Sequence, residues 1–368
     1  MGGELIDLEG LSSLDLECWR ELAARALVPN AFFEPEYVVP LARALGQEGQ
    51  VRLLVVREGS EWQACLPVHL APRWHRFPLR SLATWRGYYL YSPLGTPLVA
   101  PDRPAESLTI LLGAMRSLDR RARFAALELV ADDRGLSEPL AEALAGLVPA
   151  PLVFDRFERA ALYRRADLNY LADRLGKSIR SNLRRQRRRL GEELGGELEV
   201  VDAATEDGAV ERFVALEASG WKGQQGTAIG ARRDHVEFFT EMCRGFAEQG
   251  RLQLFELRGA GETVAIKCNL CAGDTLFLFK EAYDESWGSY SPGTLLELDM
   301  LTRFYDSDAR FMDSCANRHN ATLNRLMPDR RPMTTVAIPA PGVSGTAIRP
   351  ALAAARSMRR RRQAHRSR

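Results

Sequence analysis

Between Val51 and Pro72 the chain reads VRLLVVREGSEWQACLPVHLAP. Two apolar-rich runs flank Glu-Gly-Ser, the pattern of two strands joined by a turn. The stretch RGYYLYSPL, a helical run AESLTILLGAMRSLDR and a strand FAALELV follow. The second half repeats the theme. RLQLFELRGAGETVAIKCNLCAGDTLFLFKEAY predicts three strands, with turns at Gly259-Ala260-Gly261 and Gly273-Asp274. A helix over about 292–305 and a strand in ARFMDSC come next. Both halves open on a similar hairpin, VRLLVVREGSEW in one and RLQLFELRGAGET in the other. The expected fold class is α/β: two tandem units with mixed, largely antiparallel sheets flanked by helices.

A long helix over 170–194 is expected to join the halves. Leu175, Ile179, Leu183, Leu190 and Leu194 form its apolar stripe, and Lys177, Arg180, Arg184, Arg185, Arg187, Arg188 and Arg189 its other face. Such a face is ordinarily solvated, and binding a polyanion is the sharper reading. Two further helices are read in DGAVERFVALEAS and ARRDHVEFFTEMCRGFAEQG, each stopped by glycine. These patterns place a first half at 1–155, a second at 156–335, and a linker with an arginine-rich tail at 336–368. The tail is expected to be mobile, because it lacks apolar residues to bury.

Composition narrows the class. Of 368 residues 46% are hydrophobic, as in ordinary soluble globular proteins. No run of 18 apolar residues exists, so no membrane span is expected. The start, MGGELIDLEG, lacks the basic-plus-apolar pattern of a secretory signal. Six scattered cysteines read as reduced thiols of a cytoplasmic protein. Cys268 and Cys271 have metal-like spacing but no second pair, so no metal is expected. Net charge is only +2, yet SMRRRRQAHRSR is strongly basic. Arginine dominates the cations: the only lysines are Lys177, Lys222, Lys267 and Lys280. That scarcity marks them as candidates for a site.

The helix at 292 raises a separate question. Ser291 suits an N-cap, Pro292 the first helical position, and Gly293 a close approach of something to the backbone. No acid precedes Glu297, so the first-turn amides and the positive dipole end are open to an anion. The helix of the first half begins near Asp102-Arg103-Pro104 and carries Glu106 in its first turn, and so supplies its own carboxylates.

EASGWKGQQGTAIG, FKEAYDESWGSYSPGTLL and FMDSCA together resemble the acetyltransferase family linked to cellulose biosynthesis (CelD-like, BioF2-like), a FemAB-like tandem branch of the GNAT superfamily. SIRSNLRRQRRRLGEELG is similar to that family's linker region. The resemblance covers about 155–330 closely and the first half in architecture alone. It implies two GNAT-like units, the first non-catalytic, and transfer of an acyl group, most simply acetyl, from acyl-CoA without a metal. The acceptor would be an amine or hydroxyl of a small molecule, polysaccharide or cell-envelope precursor. Tyr290, Ser291, Pro292, Gly293 and Thr294 would hold the coenzyme A pyrophosphate, and Trp221 and Lys222 would contact substrate. Many members of the family it resembles carry a lysine a few residues after the final Asp-containing strand. Here MDSCANRHNATLNRLMPDRR has none.

Two alternatives remain at this stage: an aminoacyl-tRNA-dependent transferase and a non-catalytic binding protein. The basic helix and tail could bind nucleic acid phosphates, but no helical arm typical of the tRNA users is found.

For proton transfer, His319 is the expected base, because its ordinary pKa suits neutral pH, with Asp313 orienting it or capping its loop. Lys280 and Glu281 are the next candidates. A two-residue type II′ turn at Gly273-Asp274 would pair Ala272 with Thr275 and place Lys267 opposite Lys280. Like charges in that position would call for an anion between them, such as a substrate carboxylate.

Overall fold

The computed structural model describes residues 1–75, 77–88, 90–165 and 169–366. The chain divides into two compact units, residues 1–42, 46–158 and 331–368 in the first and 43–45 with 159–330 in the second.

The first unit contains β1 (Gly2–Asp7), α1 (Ser13–Arg25), α2 (Pro35–Ala44), β2 (Val51–Glu58), β3 (Glu61–Ala71), β4 (Ser81–Thr84) and β5 (Leu98–Val99). It continues with α3 (Pro104–Met115), β6 (Phe124–Ala131), α4 (Ser137–Ala145) and the start of β7 (Leu152–Tyr163). Helix α1 begins where Ser12 and Asp15 form a reciprocal capping box, each side chain bonding the other's amide. β2 and β3 form the expected hairpin, closing with Glu58 opposite Glu61.

The second unit contains α5 (Tyr170–Leu194), β8 (Leu198–Asp202), α6 (Ala209–Ser219), α7 (Trp221–Gln224), α8 (Arg233–Glu248), β9 (Leu252–Gly259), β10 (Glu262–Ala272) and β11 (Thr275–Tyr283). Then come α9 (Pro292–Asp306), β12 (Phe311–Asp313) and α10 (Ala321–Leu326). The chain ends with β13 (Asp329–Pro339) and α11 (Val343–Arg366).

The two units repeat one strand order. In the first, β1, β2, β3 and β4 pair antiparallel, β6 joins β4 in parallel, and β13 closes antiparallel to β6. In the second, β8, β9, β10 and β11 pair antiparallel, β12 joins β11 in parallel, and the end of β7 closes antiparallel to β12. The closing strands are exchanged along the chain. The strand after β6 ends in the second unit, and the strand after β12 completes the first.

In the second unit α5, α9 and α10 cover one sheet face. Leu175, Leu183 and Leu190 of α5 pack with Leu295, Leu296, Met300, Leu301 and Phe304 of α9 over strand residues such as Leu257, Leu276 and Leu278. Helix α5 kinks at Gly176, whose φ of 63° lies outside the helical range. Ile179, expected in the buried stripe, is instead 37% exposed.

The C-terminal segment departs from the expected linker and mobile tail. Residues 329–339 are a sheet strand and 343–366 a helix. Ile348, Leu352 and Ala355 recur at helical spacing and pack among Trp74, Phe124 and Phe154. Arg359 then reaches Asp155 at 2.6 Å. Small apolar residues and the Arg359–Asp155 ion pair anchor this helix, its stripe hidden in Ala-rich composition. Because Leu352 is fully buried, Leu352→Ala is expected to cost about 2–5 kcal/mol in urea denaturation. An unchanged midpoint would return the helix to the status of a dispensable tail.

Candidate active site

Strand β11 leads through Asp284 into a single 3₁₀ segment, Glu285–Tyr290, and then into α9. Ser291 stands at the N-cap of α9 with φ 56° and ψ 50°. A left-handed backbone there differs from the extended N-cap that aims a hydroxyl at the next amides, and Ser291 makes no capping hydrogen bond. Its Oγ instead lies 3.4 Å from Gln186 Nε2 of α5, which also donates to the Ser289 carbonyl at 2.9 Å. The expected serine cap is therefore absent, and the first turn of α9 carries no acid of its own.

Two adjoining cavities open on this helix start. One, of about 280 Å³, is lined by Glu281, Tyr283, Ser291–Thr294, Glu297, Asn320 and Thr322. The other, of about 340 Å³, is lined by Ser178, Asn182 and Gln186 of α5, by Ser291 and Thr294, and by Thr322 and Arg325 of α10. Exposed Ile179 contributes its apolar flank. Gly293 belongs to the first cavity for a steric reason: a Cβ added there would collide with Glu281 Oε1. The second cavity is neutral-polar apart from Arg325, an exposed guanidinium that could meet an anion.

Beneath the first cavity lies a buried charge cluster. Lys267 of β10 is ion-paired with Glu297 of α9 and stands 3.5 Å from Glu281 of β11. Burial lowers the Lys267 pKa, and Glu281 opposes that shift. The expected pairing of Lys267 with Lys280 does not occur. The register runs as expected from Ala272–Thr275 to Asn269–Leu278, and then a bulge leaves Phe279 out. Cys268 therefore meets Lys280, and Lys267 meets Glu281. The carboxylates beside Lys267 are the protein's own.

Lys280 falls on the opposite face, near Glu217 and Lys222. Burial brings its pKa from an ordinary 10.5 down to about 8, against the opposing pull of Glu217. Between those values the unfolded chain holds a proton that the folded chain does not. Stability is thus expected to rise from pH 8 towards 10.5, and Lys280→Met to flatten that rise in urea titrations. A flat wild-type profile would contradict the assignment.

The remaining candidates are dispersed. Lys222 bridges Glu217 at 2.9 Å and the Glu281 carbonyl at 2.6 Å, tying α7 to β11. Trp221 is 45% exposed, and its amide donates to Glu285. Tyr290 packs against the α5–α9 core near Trp287. Asp313 is fully buried, 2.5 Å from Arg159, and accepts from the Cys315 amide at 2.9 Å. His319 lies in an exposed turn, its amide donating to Asn317 Oδ1. No hydrogen bond or ion pair among the described residues joins it to Asp313. Glu297, Asn320, Thr322 and Arg325 were not among the site residues expected from sequence. Only the acid-free turn ahead of Glu297 pointed towards one of them. Among the described residues no cluster of His, Cys, Asp and Glu could hold a metal, and no helix is long and apolar enough to cross a membrane.

Residues 177–320 match the model of an acetyltransferase (GNAT) domain. That span runs from α5 to the turn before α10 and contains most of the cavity lining. No curated protein matches the chain. Solved structures share its fold. FemX superposes with a TM-score of 0.61 at 10% identity, over 95% of this chain and 99% of FemX. A conserved protein of unknown function from Bacteroides thetaiotaomicron VPI-5482 gives 0.56 at 12% identity, over 88% of this chain and 97% of its own. The C-terminal domain of a putative lysylphosphatidylglycerol synthetase from Agrobacterium fabrum gives 0.51 at 13%, over 88% and 91%. At such identities the likeness is one of fold. The fold is a GNAT-like mixed α/β architecture, with largely antiparallel sheets flanked by helices.

Proposed function

We propose that the protein transfers an acyl group, most simply acetyl, from acyl-CoA to an amine or hydroxyl acceptor. The observation that carries this reading is the uncapped, acid-free start of α9 opening on two joined cavities. Backbone amides at such a start attract phosphate, and Arg325 with the hydroxyls of Ser291, Thr294 and Thr322 adds donors on the α5 side. The donor's pyrophosphate belongs on that side and its thioester towards Glu281. Carboxylate and phosphate would repel each other if the order were reversed. In the reaction the acceptor's nitrogen or oxygen attacks the thioester carbon and the C–S bond breaks. The thiolate leaves to take a proton, and Glu281 takes the proton of the attacking group. The sequence resemblance extends the proposal to a polysaccharide or cell-envelope acceptor and a cytoplasmic place of action.

Gly293→Asp tests the donor site. It places bulk against Glu281 and negative charge at the helix start. Calorimetry with acetyl-CoA is expected to show binding about tenfold weaker or worse. Wild-type affinity in a folded variant would put the donor elsewhere. A second reading, a donor carried on RNA, is favoured by exposed Lys177, Arg184, Arg188 and Arg189 of α5, the helix whose other residues line the second cavity. Binding of aminoacyl-tRNA without binding of acetyl-CoA would establish it.

A further inference from the structure

Helix α11 is held to the first unit at two levels. Ile348, Leu352 and Ala355 seat its middle on Trp74, Phe124 and Phe154. Beyond them, residues 356–366 read RSMRRRRQAHR, six arginines with no acid and only Met358 and Ala364 apolar. Like charges three and four residues apart weaken a helix, so this end needs an external hold. Arg359 supplies it. Its Nη2 donates to Asp155 Oδ2 of β7 at 2.6 Å, and its Nη1 lies 3.0 Å from His75 Nδ1. The His75 ring stacks on Phe154 with centroids 5.1 Å apart, and the Arg359 guanidinium lies 5.6 Å from the same ring centre. The 3.0 Å contact fixes the state of the imidazole. A guanidinium can only donate, so Nδ1 is the unprotonated nitrogen and His75 is neutral. Its Nε2 faces Glu128 Oε1 at 3.7 Å, too far for a hydrogen bond. Glu128 already accepts from Trp74 Nε1 at 2.6 Å and from Arg86 Nη1 at 3.2 Å. Among the described residues the charges around the ring are thus two carboxylates, Glu128 and Asp155, and two guanidiniums, Arg86 and Arg359. Burial is the main force lowering the His75 pKa, with Glu128 opposing it.

We infer that His75 is a pH-sensitive latch on α11: neutral, it clasps Arg359 and holds the basic end of the helix down; protonated, it lets that end lift. A proton on Nδ1 removes the acceptor and sets an N–H against the N–H groups of Arg359. The imidazolium can turn to Glu128, while Arg359 keeps Asp155 alone. Once the end lifts, the ring meets water and titrates near the ordinary 6.5. Below that pH the lifted state binds a proton that the clasped state excludes, so acid favours lifting. One pH unit below 6.5 this linkage is worth about tenfold in the lifting constant, provided the clasped ring stays neutral. Leu352 and Ala355 keep the middle of the helix seated throughout. A second histidine, His365, falls in the lifted stretch, and the test must tell the two apart.

Hydrogen exchange of the full chain, followed by mass spectrometry at pH 7.5 and at pH 5.5 and corrected for the intrinsic pH dependence of exchange, reads the lifting constant of residues 356–366. That constant is expected to rise roughly five- to tenfold at the lower pH, while the β2–β3 hairpin keeps its protection. In His75→Asn the rise is expected to shrink below about twofold. Asparagine offers an amide oxygen near the place of Nδ1, takes up no proton, and tolerates the left-handed φ of 45° that His75 adopts. His365→Gln is expected to keep the rise in full, and it decides between the two histidines even if His75→Asn does not fold. A wild-type rise under about twofold overturns the inference. So does a rise that persists in His75→Asn or vanishes in His365→Gln. Loss of hairpin protection in step with α11 also overturns it, because acid would then be unfolding the whole unit rather than opening a latch.

Discussion

Glu281→Gln is expected to lower turnover about 100-fold at neutral pH and to leave the affinity for acetyl-CoA nearly unchanged. A positioned general base contributes roughly this factor. Three observations single out Glu281 for the role. Its carboxylate lies against Gly293, on the side of the helix start to which we assign the thioester, away from Arg325. It lines the cavity with Tyr283, Asn320 and Glu297. Lys267, 3.5 Å away, holds it from below and offsets its charge. Glutamine keeps the size and can still accept from Lys267, so the cavity should keep its shape while the base is lost. The readout is release of free thiol from acetyl-CoA in the presence of a primary amine, set beside calorimetry. His319→Gln is the control. His319 is exposed and lines neither cavity. If the loss followed His319→Gln and spared Glu281→Gln, the base would be His319 after all.

Much of this fold was legible because local pattern and tertiary need agree. The β9–β10–β11 run alternates over turns rich in glycine, and the structure keeps all three strands. The acid-free helix start was equally plain, since it depends on four consecutive residues. Long-range facts were not. The exchange of β7 and β13 between units leaves no local mark, and a single bulge at Phe279 undid the pairing of Lys267 with Lys280. Helix α11 escaped notice because its core stripe is built of Ile348, Leu352 and Ala355 within Ala-rich sequence. The site shows the same division. Glu281 and Ser291–Thr294, which share one cavity, were already candidates from sequence, being near neighbours across one turn. Glu297, Asn320 and Arg325 come together only once α9 and α10 pack on the sheet.

Arg159→Leu is expected to destabilise the protein by about 3–5 kcal/mol, the usual effect of stripping one partner from a buried ion pair. Arg159 and Asp313 are 2% and 0% exposed, and lie 2.5 Å apart on the neighbouring strands β7 and β12. Leucine would take the Arg159 guanidinium away from the buried Asp313 carboxylate, although the Cys315 amide still donates to it. Adding Asp313→Asn should restore most of the stability, because the amide oxygen keeps the Cys315 bond and the buried charge is removed. Urea denaturation of the two single variants and the double variant measures this directly. A loss under about 1 kcal/mol for Arg159→Leu would mean that water or other groups satisfy Asp313. The consequence reaches the site. β12 ends at Asp313, and the chain beyond it carries Asn320, Thr322 and Arg325 to the cavities. Asp313 thus anchors the segment that completes the cleft, and Arg159→Leu should weaken acetyl-CoA binding even where the protein remains folded.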